Sequence, residues 1–299
     1  SIAIDNLSNE DFERGHAWLP SNFSVPYSNV SFISDGITLT GWWMPGTGGE
    51  AGDTTVILVH GLGSNMSKPM HHWAPHLHGL GYSLLAFDLR GHGRSKQWSK
   101  YHEYDLRFFA EDICALLKHV GIERYSLVAH SFGTLVALLL LQGESGAQKA
   151  LLLSPNYAVH RMLRSHITHW PLAIITAIFS KLPSIHWRGD HVDYSKLGYT
   201  SDWDIRRLYA DIWNTGIRTY LHCLYHVYSF TRDEEWKRIS VPVTIVHGAF
   251  DSFIPIAHAI ELASVIPHAK FQMLGSANHM LVLNNIPEVT EIIRRYLNQ

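Results

Sequence analysis

The sequence predicts an α/β protein, with a mostly parallel central sheet, helices on both of its faces, and one inserted helical block. Three observations carry this reading. Short apolar runs alternate with helix-period segments in the first half and again at the end of the chain, as strand–helix–strand units do. Several runs, such as "TTVILVH", are apolar throughout, as strands buried on both faces are. Residues 156 to about 236 break the rhythm: they read as helical, rich in Trp, Tyr and His, with no clear strand.

The elements follow in order. After a polar arm, "SNVSFISDGITLTGWWMP" holds two alternating runs around Asp35-Gly36, a hairpin signal. "GTGGEAGD" is a loop, "TTVILVH" a strand, Pro69 to about His78 a helix, and "YSLLAFD" a strand. Within residues 105–120, Leu106, Phe109, Ile113, Leu116, Leu117 and Val120 share one helical face, which leaves Asp112 on the polar side. Gly121 is the expected stop. "YSLVAH", "SFGTLVALLLLQ" and "KALLLS" read as strand, helix and strand. After the inserted block come "VPVTIVHG", "IPIAHAIELASVI", "AKFQML" and "PEVTEIIRRYL", again strand, helix, strand, helix. The expected division is a core of residues 1–155 and 237–299 with a helical cap, or lid, of residues 156–236.

Composition narrows the function. The 299 residues are 46% hydrophobic and 17% charged, with a net charge of −2, so no basic field recruits nucleic acid. Cys114 and Cys223 both fall in apolar helical patterns, where a buried free thiol is expected, and two cysteines build no disulfide framework. The 21 histidines include no HExxH pattern, and neither a metal nor a cofactor is expected. The longest apolar run, "WPLAIITAIF", falls short of the ~20 residues that span a bilayer. Asn6, Asn22, Asn29 and Asn65 each open an N-x-S triplet, a hint of secretion. A cytoplasmic location is preferred, with secretion or anchoring the alternative if a leader preceded Ser1. The oligomeric state is left open.

The chemistry centres on "LVAHSFGTL", residues 127–135. Ser131 follows a buried strand and opens a helix. A sharp turn there needs small residues two positions to either side, and these are Ala129 and Gly133. This is A-x-S-x-G in place of the usual nucleophile elbow G-x-S-x-G. Here the chain resembles the α/β-hydrolase superfamily. "VHGLGSN" looks like its oxyanion loop, "AFDLRGHGRS" like its D-x-R-G-x-G-x-S segment, "VHGAFDSFIP" like its acid turn and "GSANHM" like its histidine loop. The resemblance covers roughly residues 30–154 and 237–298. It implies a Ser131–His279–Asp251 triad, in the chain order of that fold. His279 would take the serine proton, Asp251 would hold the imidazole tautomer, and the backbone N–H groups of Leu62 and Phe132 would bind the oxyanion. Such donors contribute about 3–4 kcal/mol each in comparable enzymes.

Other candidates compete. His60 and His130 are alternative bases, read as structural residues of their motifs. Asp88 and Asp112 are alternative acids, and Asp88 is expected to tie down the "RGHGRS" turn. In the inserted block, Trp170, Ile174 and Ile178 are the expected pocket residues, on a helix apolar nearly all round. The expected activity is a serine carboxylesterase or lipase-like hydrolase acting on a small ester or acyl compound. Thioester, lactone, amide or carbon–carbon hydrolysis, acyl transfer, or a receptor-like protein with little turnover remain alternatives.

Overall fold

The computed structural model describes residues 19–48, 54–68, 73–95, 101–143, 146–164, 169–181, 199–231 and 233–298. Eight strands form one sheet: β1 (Ser28–Ser34), β2 (Ile37–Met44), β3 (Thr55–Val59), β4 (Ser83–Phe87), β5 (Tyr125–His130), β6 (Ala147–Leu153), β7 (Val243–Gly248) and β8 (Lys270–Leu274). Their order is β1-β2-β4-β3-β5-β6-β7-β8. β2 runs antiparallel to β1 and β4, and every other pair is parallel. The β1–β2 hairpin turns at Asp35 (φ 48°) and Gly36 (φ 73°), the two positive angles that a tight hairpin turn of the right twist requires.

The pleat sends alternate residues to two cores. Ile57 and Val59 of β3 and Leu127 and Ala129 of β5 face one side, with α2 (Leu106–Val120) and α3 (Phe132–Leu141). Val56, Leu58 and Val128 face the other, with α1 (Ala74–Gly79) and the C-terminal helix Ile286–Leu297. Both faces are covered, which is why the central strands read as unbroken apolar runs.

The α2 helix starts at Asp105, whose carboxylate accepts the Arg107 N–H at 3.0 Å, and ends on Gly121 in the left-handed region. Its six apolar residues are buried as the spacing predicts. Asp112 departs from expectation: it is wholly buried, because Arg90 from the loop after β4 reaches it through two hydrogen bonds. Cys114 also departs and is exposed, lying off the buried arc of the helix, whereas Cys223 is buried.

Between β6 and β7 lie α4 (Val159–Arg164), α5 (His169–Lys181), α6 (Ile205–Thr215), α7 (Ile217–Ser229) and a 3-10 turn, Asp233–Arg238. Among the described residues this segment holds no strand. α5 and α6 pack on α7, which docks on the core through α2 and the 3-10 turn Tyr101–Tyr104. There Tyr104 Oη and Thr219 Oγ1 are 2.9 Å apart. α6 is inside out: Arg207 and Asp211 are buried and paired at 2.6 Å, while Ile205, Tyr209 and Trp213 face outward.

α5 does not hide its apolar side chains as expected. Ile174 and Ile178 are 56% and 53% exposed, and Thr176 is buried instead. The Trp170 side chain and Asn6 lie outside the described residues, as does the start of the helix expected from Pro69, whose later part is α1. Asn29 and Asn65 are buried, whereas Asn22 is exposed. No described helix is long and apolar enough to cross a membrane.

Candidate active site

β5, β7 and β8 run parallel, so the loops after them emerge on one edge of the sheet. Ser131 sits at the first, between β5 and α3, with φ 51° and ψ −119°, a conformation that side chains bearing a Cβ disfavour. Its N–H still donates to Leu153 O at 3.0 Å, continuing the strand, while its carbonyl accepts the Thr134 N–H at 2.9 Å, starting the helix. Gly133 is required: a Cβ there would lie 2.6 Å from His60 O and 2.8 Å from Val59 O. Ala129 lies inside the sheet between Val59 and Leu152, a place with room for its methyl.

Ser131 Oγ is 2.8 Å from His279 Nε2, and His279 Nδ1 is 2.7 Å from Asp251 Oδ2. The carboxylate can only accept, so Nδ1 carries the proton and Nε2 is left to accept from the serine hydroxyl. Asp251 Oδ1 is held by the Phe253 and Ile254 N–H groups at 2.9 and 2.8 Å. Burial pushes the Asp251 carboxyl up. The charge and hydrogen bond of His279, the Ile254 N–H and nearby His247 outweigh it and hold the group below its ordinary value.

Of the two expected oxyanion donors, Phe132 follows the serine in the chain, and Leu62 follows Gly61, where a Cβ would lie 3.3 Å from the Ser131 Cβ. Phe132 is the first residue of α3, so its N–H has no acceptor within the helix. Leu62 follows β3 in the loop closed by Ser64 N–H to Gly61 O at 3.2 Å. Among the described residues neither amide donates to a protein acceptor. His60 braces this loop: Nδ1–H donates to Gly61 O at 2.8 Å, and Nε2 accepts the Leu89 N–H at 3.0 Å. Burial holds His60 neutral, with a pKa of about 4. His130 is buried too, its pKa well below ordinary, and its Nε2–H donates to His279 O at 3.2 Å.

The alternative acids are engaged elsewhere. Asp88 accepts the Met66 N–H at 2.7 Å and the Arg94 N–H at 2.8 Å, joining the Leu62 loop to the "RGHGRS" turn. Asp112 is paired with Arg90. Two residues at the site went unnoticed in the sequence. His247 Nε2–H donates to Ile254 O at 3.0 Å and lies 3.4 Å from Asp251 Oδ2. Asp202, from the segment before α6, accepts the His279 backbone N–H at 2.9 Å. The first lies four residues before Asp251, a spacing that could have drawn attention to it, whereas no pattern marks the second.

Among the described residues, no group of three or more His, Cys, Asp or Glu is disposed to hold a metal ion. A parallel sheet that brings a serine on a strand-to-helix turn against a histidine and a carboxylate from later loops defines the class of α/β hydrolases. The family model for the alpha/beta hydrolase fold matches residues 54–286, and the chain belongs to that family. One relative is Protein ABHD8 of Bos taurus, 22% identical over 256 residues, or 83% of this chain and 57% of that protein. The chain thus spans little more than half of that relative's length. The non-heme haloperoxidase of Rhodococcus erythropolis is 25% identical over 265 residues, covering 80% of this chain and 94% of the haloperoxidase. Among solved structures, the esterase EaEST from Exiguobacterium antarcticum matches with a TM-score of 0.67 at 17% identity, covering 90% of this chain and 99% of the esterase. That likeness shows the fold.

Proposed function

We propose that the protein is a serine hydrolase that cleaves a carboxylic ester, or a related acyl bond, of a small apolar compound through an acyl-enzyme. The observation that carries this reading is the unbroken hydrogen-bonded series from Ser131 Oγ through His279 to Asp251. Ser131 Oγ attacks the acyl carbon as its proton passes to His279 Nε2. Asp251 stabilises the imidazolium without taking the proton. The tetrahedral oxyanion sits between the Leu62 and Phe132 N–H groups. Collapse returns the proton to the leaving alkoxide and leaves an acyl ester on Ser131. Water, deprotonated by His279, then repeats the steps to release the acid.

In this reading residues 156–236 are a cap over a core of residues 1–155 and 237–299. Trp170, Ile174 and Ile178 are the pocket side chains it would offer to an apolar acyl or alcohol portion. The esterase neighbour agrees with ester chemistry at the level of fold.

The test is labelling with a fluorophosphonate probe, followed by peptide mapping. The adduct is expected on Ser131. Ser131→Ala should lose about 10⁴-fold or more in turnover of an activated ester, and Asp251→Asn about 10⁴-fold, since asparagine favours the wrong imidazole tautomer. Near-normal hydrolysis by folded Ser131→Ala would end the proposal.

A further inference from the structure

The segment before α6 lies across both loops that hold the histidine and its acid. Thr200 O accepts from Asn278 Nδ2 at 2.9 Å and from Asn284 Nδ2 at 2.8 Å, and the Thr200 N–H donates to Asn284 Oδ1 at 3.1 Å. Two residues on, Asp202 is 3% exposed and its carboxylate divides between the loops. One oxygen accepts the His279 backbone N–H at 2.9 Å. The other accepts the Ser252 N–H at 2.7 Å and the Ser252 hydroxyl at 2.9 Å. Ser252 is the neighbour of Asp251. A single buried carboxylate therefore spans from the backbone of the imidazole donor to the residue beside its acceptor.

Asp202 is itself fixed. Arg207 Nη2 donates to its carbonyl, while Nη1 pairs with Asp211 at 2.6 Å. Asp211 in turn packs on the Leu62 loop, where a Cβ on Gly63 (φ 77°) would collide with its side chain. The segment and α6 together thus touch all three loops of the site, and among the described residues Asp202 is the side chain of theirs that bonds to two of them. Among the described residues, the hydrogen bonds of the Asp202 carboxylate run to backbone groups and to Ser252 rather than to the Ser131 hydroxyl or the His279 ring. Its hydrogen bonds are charge-assisted, and so are stronger than neutral ones and more exacting in distance.

We propose that Asp202 is a positioning residue: its carboxylate sets the separation between the His279 and Asp251 loops, and so the 2.7 Å contact between them. Geometry of this kind is what preorganised sites depend on, since small misplacements far from the chemistry cost large factors in rate. The proposal rests on the serine-hydrolase reading above. It makes the inserted segment part of the site's scaffolding, so that its position and the readiness of His279 are one variable.

The test compares the full chain with Asp202→Ala and Asp202→Asn. Asparagine keeps the shape but turns one acceptor into a donor that faces an N–H, so it separates hydrogen bonding from packing. With p-nitrophenyl butyrate as the probe, kcat should fall by about tenfold or more in both variants, with KM within about threefold. The low-field proton resonance of His279 Nδ1–H should shift or broaden in both, a readout that needs no turnover. The proposal is overturned if kcat stays within twofold of wild type, if the resonance is unchanged, or if neither variant folds, which would make Asp202 a scaffold residue only. Failure of the hydrolase reading looks different: the fluorophosphonate then leaves Ser131 unlabelled in the wild type, and the positioning role falls with it. If the wild type is labelled on Ser131 and the variants react at the same rate, only the role of Asp202 is lost.

Discussion

Arg90 clasps Asp112 through two parallel hydrogen bonds, Nε to Oδ2 at 2.7 Å and Nη2 to Oδ1 at 2.6 Å, with both side chains out of contact with water. The third guanidinium nitrogen donates to Glu103 O at 2.9 Å, and the Phe108 ring centre lies 5.0 Å from the guanidinium carbon. Every charge in this pair is answered, which is the condition for burying it.

Removing one partner leaves the other charge stranded. Asp112→Ala should therefore cost about 3–5 kcal/mol, read by urea denaturation. The double replacement Arg90→Met with Asp112→Leu should cost less than the single one, because no uncompensated ion remains. A loss below about 1 kcal/mol for Asp112→Ala would show that the pair is not buried as described.

Acid should weaken the fold before most carboxylates titrate. Burial lowers the pKa of His60 to about 4; burial, with His60 beside it, lowers that of His92 to about 3. The unfolded chain holds both near 6.5. Between pH 6.5 and about 4 the unfolded state therefore binds more protons than the folded one, so stability drops as pH falls through that window. Each histidine contributes at most about 1.4 kcal/mol per pH unit. Urea midpoints at pH 7, 6, 5 and 4 should decline steadily below 6.5. A midpoint that is flat from pH 7 to 5 would contradict the neutral buried histidines.

The exposed apolar side chains of α5 allow a clean separation of packing from binding. Ile174 and Ile178 are more than half exposed, so Ile174→Asp and Ile178→Asp should change stability by no more than about 0.5 kcal/mol. If these side chains meet the substrate, as in the pocket proposed above, longer p-nitrophenyl esters should lose kcat/KM while the acetate ester does not. Each methylene they cover is worth up to about 0.8 kcal/mol. Equal losses on all chain lengths would remove them from the pocket.

Much of the fold was legible because it depends on short-range pattern. The hairpin at Asp35-Gly36, the unbroken apolar strands and the six buried residues of α2 follow from periodicity that any local window contains. Ser131 and Asp251 were legible through their places just after apolar runs, since parallel strands deliver their following loops to one edge, whereas His279 was legible through the resemblance of "GSANHM" to a family loop. What stayed hidden depends on a partner distant in the chain. Asp112 sits where a helix normally turns to water, and its pairing with Arg90, 22 residues earlier, makes it an inward residue. Asp202 is 77 residues from His279, in a segment without strand pattern, and nothing nearby foretells its contact. α6 misleads in the same way, since Ile205, Tyr209 and Trp213 face outward while the Arg207–Asp211 pair faces inward.

The backbone of Ser131 has a consequence for how this protein can change over time. Its angles, φ 51° and ψ −119°, suit glycine better than any residue with a side chain. Strain of this kind costs about 1–3 kcal/mol, against roughly 0.5–1 kcal/mol of extra chain entropy that glycine brings. Ser131→Gly should therefore make the chain somewhat hardier to heat while removing its hydroxyl. Selection for endurance alone would drift toward glycine at this position. A search that ranked variants at this position by melting temperature alone would therefore favour glycine and lose the hydroxyl.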